Sequence, residues 1–260
     1  MSMSAALSGL RAARAEIEAT SNNIANVSAV GFKRQSVEFN SLLEGTTTNG
    51  VRSDFDQGSL TETGKPLDIA ITGTGFFTIK NSLDAGAQFF TRAGRFELNS
   101  ENYLVNSAGQ FVMGFASVAD AMPDPLGDLT GLQLLDSTAN PDLTIDSVQV
   151  DTSGKIKALY NDGTESLIGQ LALSTFKETS RLENIGGAQF VKTAKSGEPI
   201  TGTPGNNATG SLLAGTLEGS NVDISVELIE LIEAQRNYQA SAKAIETTSE
   251  ISETVRNIRI

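Results

Sequence analysis

The 260-residue sequence contains no cysteine, no histidine and no tryptophan. Those absences exclude disulfides, thiolate nucleophiles, imidazole bases and zinc sites of the usual Cys/His kind. Catalysis would fall to carboxylates, hydroxyls, Lys or Arg, and the abundant Ser and Thr have no histidine to activate them. Positive charge is scarce as well: 19 basic against 31 acidic residues leave a net charge of −12. Such a balance repels phosphates, so neither nucleic acid nor an anionic membrane is expected as a partner; the longest basic cluster is Lys33-Arg34. No run approaches the roughly 18 apolar residues that span a bilayer. The N-terminal residues lack the charged, apolar and small-residue regions of a secretory signal. The expectation is a soluble protein, without membrane insertion, that does not use the general secretory route.

What is present begins at the two ends. From Leu231 the positions Ala234, Tyr238, Ala242, Ile245, Thr248, Ile251, Val255 and Ile258 follow at steps of three or four, one face of a long helix. No Gly or Pro occurs from Val222 to Ile260, and Ser220-Asn221-Val222-Asp223 offers N-cap chemistry. At the other end Met3, Ala6, Leu10, Ala13, Ile17, Thr20, Ile24 and Val27 step alternately by three and four, a heptad seam. Both helices therefore need a partner. The asparagines of Asn22-Asn23-Ile24-Ala25-Asn26 compete for backbone hydrogen bonds at the end of the first helix, and Gly31 is expected to stop it.

Between the helices the period changes to two. Val37, Phe39, Leu42 and Leu43 suggest a short extended or helical piece, and Gly45–Gly50 reads as a linker. Leu67, Ile69 and Ile71 alternate with Asp68, Ala70 and Thr72, and short strands continue through Phe76–Ile79, Phe89–Arg92, Gly94–Leu98 and Tyr103–Val105. Residues 116–142 read as a loop. Strands resume at Leu143–Val150, Lys155–Tyr160 and Leu167–Phe176, with Asn161-Asp162-Gly163 as a hairpin turn, and 196–210 reads as a second loop. Turn signals about ten residues apart point to an all-β meander or barrel. The predicted fold is mainly β with long terminal α-helices paired as a coiled coil and a central all-β domain inserted between them. Its parts are residues 1–45 (first helix and assembly segment), 46–65 (linker), 66–216 (β domain) and 217–260 (final helix).

No motif for a small-molecule site stands out. Gly73-Thr-Gly75 lies in a strand-turn-strand context rather than a dinucleotide loop, and Asp151-Thr152-Ser153-Gly154 lacks the remaining ligands of a calcium loop. The carboxylates Glu227, Glu230 and Glu233 lie along a helix with no sequence reason for desolvation. No cofactor and no enzymatic activity are expected.

Ser21-Asn22-Asn23-Ile24-Ala25-Asn26-Val27 followed by Gly31-Phe32-Lys33 resembles the N-terminal signature of the bacterial flagellar axial proteins, the rod, hook and hook-associated subunits. Leu217-Glu218-Gly219-Ser220-Asn221-Val222-Asp223 and Ala234-Gln235-Arg236-Asn237-Tyr238-Gln239-Ala240 resemble their C-terminal signature. Pro66–Ile71, Gly75-Phe76-Phe77 and Phe90-Thr91-Arg92-Ala93-Gly94 stand in the matching order. The resemblance implies a homo-oligomeric helical tube with the terminal helices innermost, built with other rod, hook and junction proteins. It also implies export through the flagellar type III apparatus and a chaperone-like cap. The assembly interface it implies comprises Leu10, Ile17, Asn22, Asn23, Ile24, Asn26, Gly31, Phe32, Asn221, Val222, Leu231, Gln235, Arg236, Tyr238, Ile245 and Val255. Ser220–Ser225, the 234–240 segment and Val255–Arg259 are most similar to hook subunits, whereas a length of 260 residues is rod-like. The reading is hook, with a rod subunit or a low-copy junction or cap protein as the alternative.

Overall fold

The structure, a computed structural model, describes residues 3–42, 45–83, 86–117, 128–134, 144–206 and 209–258, without the side chains of 40–42, 45–49, 252 and 255–258. The chain divides into two compact units. A helical unit collects residues 1–28, 33–54 and 222–260, and a β unit collects 29–32 and 55–221.

In the helical unit, helix α1 (Met3–Ala25) is followed by the antiparallel strands β1 (Gln35–Leu42) and β2 (Gly45–Ser53), and the chain returns as α2 (Ile224–Ile258). The expected linker at Gly45–Gly50 is thus a strand. Its run of threonines, favoured by the pleated backbone, pairs residue by residue with β1. Helix α1 ends at Ala25, before Gly31, and the Asn26 N–H closes its last turn on the Asn22 and Asn23 carbonyls. Asp223 caps α2 as its sequence suggests: the Asp223 carboxylate accepts the Ser225 N–H at 2.8 Å.

The β unit holds short strands: β3 (Leu60–Glu62), β4 (Ile69–Thr72), β5 (Phe76–Lys80), β6 (Gln88–Thr91), β7 (Phe96–Leu98), β8 (Leu104–Asn106), β9 (Phe111–Ala116) and β10 (Thr130–Gly131). After these come β11 (Ile145–Val150), β12 (Lys155–Tyr160), β13 (Glu165–Leu171), β14 (Leu173–Thr175), β15 (Glu183–Gly186), β16 (Gln189–Val191), β17 (Ile200–Gly202), β18 (Ser211–Ala214) and β19 (Thr216–Glu218). The pairings are antiparallel, with a spine ordered β11-β12-β13-β9-β5-β6-β16-β15. The tight turn at Gly163 joins β12 to β13 with φ +81°, as its Asn-Asp-Gly sequence requires. Strands β15 and β16, and β17 within the expected 196–210 loop, are only three or four residues long and too short to carry a periodic signal. Of the expected 116–142 loop, 118–127 and 135–142 lie outside the described residues, and β10 occupies part of the remainder.

Two apolar cores flank the central strands. Phe77 and Ile79 of β5 enter a large core with Ile71, Leu104, Val112, Leu171 and Leu173. Phe76 on the opposite face joins Phe90, Phe176, Leu182 and Phe190 in a second core. This is why β5 is buried on both faces and reads as a continuous apolar run rather than an alternating one. Ile69, Ala70 and Ile71 of β4 are likewise all buried, against the half-exposed strand expected from their alternation.

Candidate assembly surface and its supporting clasp

The helical unit is organised by one amide. The Asn23 side chain accepts the Gln35 N–H at 2.8 Å and donates to the Gln35 carbonyl at 2.8 Å, closing the loop between α1 and β1 as a backbone partner would. The same Nδ2 donates to Glu227 Oε2 at 2.9 Å. Glu227 Oε1 takes Arg34 Nε at 2.5 Å, and Arg34 Nη2 forks onto both oxygens of Glu230 at 2.7 and 2.6 Å. Asn23 and Glu227 are fully enclosed, so this buried carboxylate is tolerable only because two donors hold it. Burial pulls the Arg34 pKa down, but hydrogen bonds and charge from Glu227 and Glu230 outweigh it and leave it raised.

The clasp sets the direction of the helices. Asn23 meets Glu227 at one end, and Gly9 lies against Ser241 at the other, so α1 and α2 run antiparallel over the same number of residues. The buried positions of α1 are small or polar: Ala6, Ala13, Ala19, Thr20 and Asn23, facing a helix whose buried positions, among its described side chains, are Glu227 and Ala234. Leu10, Ile17 and Ile24, the larger residues of the seam, are only half-buried, as are Leu231, Ala242, Ile245 and Thr248. Beside the clasp, a cavity of about 270 Å³ is lined by Glu16, Arg34, Glu230 and Glu233. Burial raises the Glu16 pKa, and the nearby charges of Glu230 and Glu233 add to the effect.

The outer side of α2 is apolar. Ile224, Leu228 and Ile232, spaced four apart, are about half exposed, and Ile229, three before Ile232, widens the strip. This strip starts before Leu231 and runs beside the expected stripe, whose three- and four-residue steps begin there. Tyr238 and Ile251, placed on that stripe, are exposed, as are Gln235 and Arg236, and the Val255 side chain lies outside those described. Of the remaining candidates, Asn22 is exposed, Asn26 donates to the Asn22 carbonyl at 2.8 Å, and Val222 is buried. Phe32 is buried in the β unit, where Gly31 also lies and where Asn221 donates to the Asp56 carbonyl at 3.1 Å. Asp151-Gly154 is a hairpin turn whose carboxylate accepts Ser153 N–H at 2.7 Å. Among the described residues no group of acidic side chains is arranged to hold a metal.

Three segments match families of flagellar proteins: residues 3–33 the flagella basal body rod protein, 70–158 the flagellar hook protein FlgE/F/G D1 domain, and 213–258 the flagellar basal body rod FlgEFG protein C-terminal. The chain belongs to the flagellar rod and hook family of structural proteins, and it is part of the bacterial flagellum. Within that family, the flagellar basal-body rod protein FlgG of Agrobacterium fabrum is 30% identical, over 96% of both chains. The FlgG of Caulobacter vibrioides is 32% identical, over 98% of this chain and 97% of its own. The flagellar hook protein FlgE of Salmonella typhimurium is 24% identical with both chains fully covered.

Proposed function

We propose that this chain is a subunit of the flagellar rod, and that it polymerises with its α1–α2 pair packed, coiled-coil fashion, against the pairs of neighbouring copies. The observation that carries polymerisation is the apolar strip Ile224, Leu228 and Ile232 on the side of α2 away from the clasp. A head-to-tail contact through such a strip does not close on itself and generates a filament. The rod position, rather than the hook expected from the end signatures, is supported by the full-length relatives at 30% and 32% identity, which carry the rod name. Hook remains the second reading, favoured by the full coverage of the 24% identical hook protein. Deletion of the gene followed by imaging of isolated basal bodies separates them. A rod subunit leaves a truncated rod; a complete rod that only lacks its hook overturns the reading.

A further inference from the structure

Three of the sequence motifs meet at one buried ion pair inside the β unit. Arg92 and Glu218, their side chains 4% and 0% exposed, lie 3.2 Å apart, from Nη1 to Oε2. Arg92 Nη2 also donates to the Gly73 carbonyl at 2.7 Å, and the guanidinium sits 5.4 Å from the Phe76 ring centroid. Glu218 contributes both its side chain and its backbone. Its Oε2 takes Arg92, its Oε1 accepts the Gly58 N–H at 3.0 Å, and its backbone carbonyl accepts the Gly31 N–H at 2.8 Å. Gly31 has φ +66°, and a Cβ there would stand 2.3 Å from the Ala93 nitrogen, so only glycine fits between the Arg92-Ala93 backbone and Glu218. Gly219 N–H donates to the Ser59 carbonyl at 2.7 Å, which continues the pairing of β19 with β3.

Residues 29–32, 55–58 and 218–221 are the three stretches of the β unit that continue directly into the helical unit. We propose that the Arg92–Glu218 pair is a tie that gathers these three stretches and fixes where each leaves the β unit. A charge pair this deep gains little net stability over an apolar pair, so what it supplies in this tie is position rather than stability. Without it, Gly58 loses its acceptor, and the Glu218 backbone, to which Gly31 is bonded, loses its anchor. The inference does not depend on whether the subunit sits in rod or hook.

Amide hydrogen exchange on the full-length protein tests it. In the wild type, Gly31, Gly58 and Gly219 are expected to exchange as one cooperative unit with a common protection factor. Substantially faster exchange at Gly31 than at the other two overturns the proposal without any variant. In the double variant R92M/E218M, apolar and of similar volume, all three amides should speed up by about tenfold or more while Ile79 and Leu171 in the core keep their protection. Acceleration confined to Gly58, with Gly31 and Gly219 unchanged, shows that the pair serves one hydrogen bond and overturns the tie.

Discussion

At the scale of single residues, the clasp predicts an asymmetry. Arg34→Met strands the fully buried Glu227 without its cation, at a cost of about 3–5 kcal/mol to the helical unit. Glu227→Met costs less, because Arg34 is 24% exposed and keeps Glu230. Thermal unfolding of the two variants checks the order, and equal losses would contradict the account. Glu16 supplies a pH dependence. Its folded pKa is raised, so the folded state binds that proton more tightly than the unfolded chain does. The stability of the helical unit therefore rises as pH falls from above the raised value toward the ordinary carboxylate range, and declines as pH climbs back through that window. Glu230, Glu233 and Arg34 face the same cavity, and Arg34 is already committed to Glu227 and Glu230. Glu16→Gln should remove this component, seen as a wild-type minus variant difference in melting temperature that varies across the window; a difference independent of pH speaks against it.

At the scale of elements, α2 carries two faces with separate tasks. The Glu227 and Ala234 face is occupied within the chain, while the Ile224, Leu228 and Ile232 face is open to solvent. Leu228→Asp should therefore leave monomer stability within about 0.5 kcal/mol, since the carboxylate stays hydrated, yet abolish polymerisation, where it would be buried unpaired. Sedimentation and circular dichroism together check this, and normal polymer would remove the face from the interface. Ile17→Asp and Ile245→Asp act at positions more buried than Leu228, so they should lower the helical signal of the monomer as well as block assembly, with the β signal retained. Strand β5 shows the same dependence on surroundings in another form. Its residues Phe76 and Phe77 point into different cores, and neither core can be inferred from the strand alone.

At the scale of the whole molecule, the helical unit is assembled from three stretches of chain and the β unit from two. A chain ending at Asn221 lacks α2 and with it Glu227, so α1 loses the acceptor of its clasp, whereas both apolar cores of the β unit are untouched. Such a chain should retain a cooperative β-sheet melt, lose most helical signal and fail to polymerise. Loss of the β melt would show that the two units fold as one.

The terminal helices, the N-cap at Asp223, the hairpin turn at Gly163 and the mainly β centre were legible because each rests on local chemistry: periodicity, a capping carboxylate, a positive φ. The end signatures likewise pointed to the flagellar family. Local pattern could not show that Asn23 faces Gln35 and Glu227, that Glu218 pairs with Arg92 across 126 positions, or that Gly45–Gly50 is a strand. In each case a polar or small residue takes its meaning from a partner distant in sequence, and burial, which makes an unpaired amide or carboxylate intolerable, is a property of the fold. Sequence by itself thus determined the two terminal helices and the strands β4–β8 and β11–β14, where periodicity or a turn signal stands in the local pattern. Tertiary structure decided which face of α2 is spent within the chain and which is left for a neighbour, because the covered face is marked by the buried Glu227 and Ala234, whose partners lie far away in sequence.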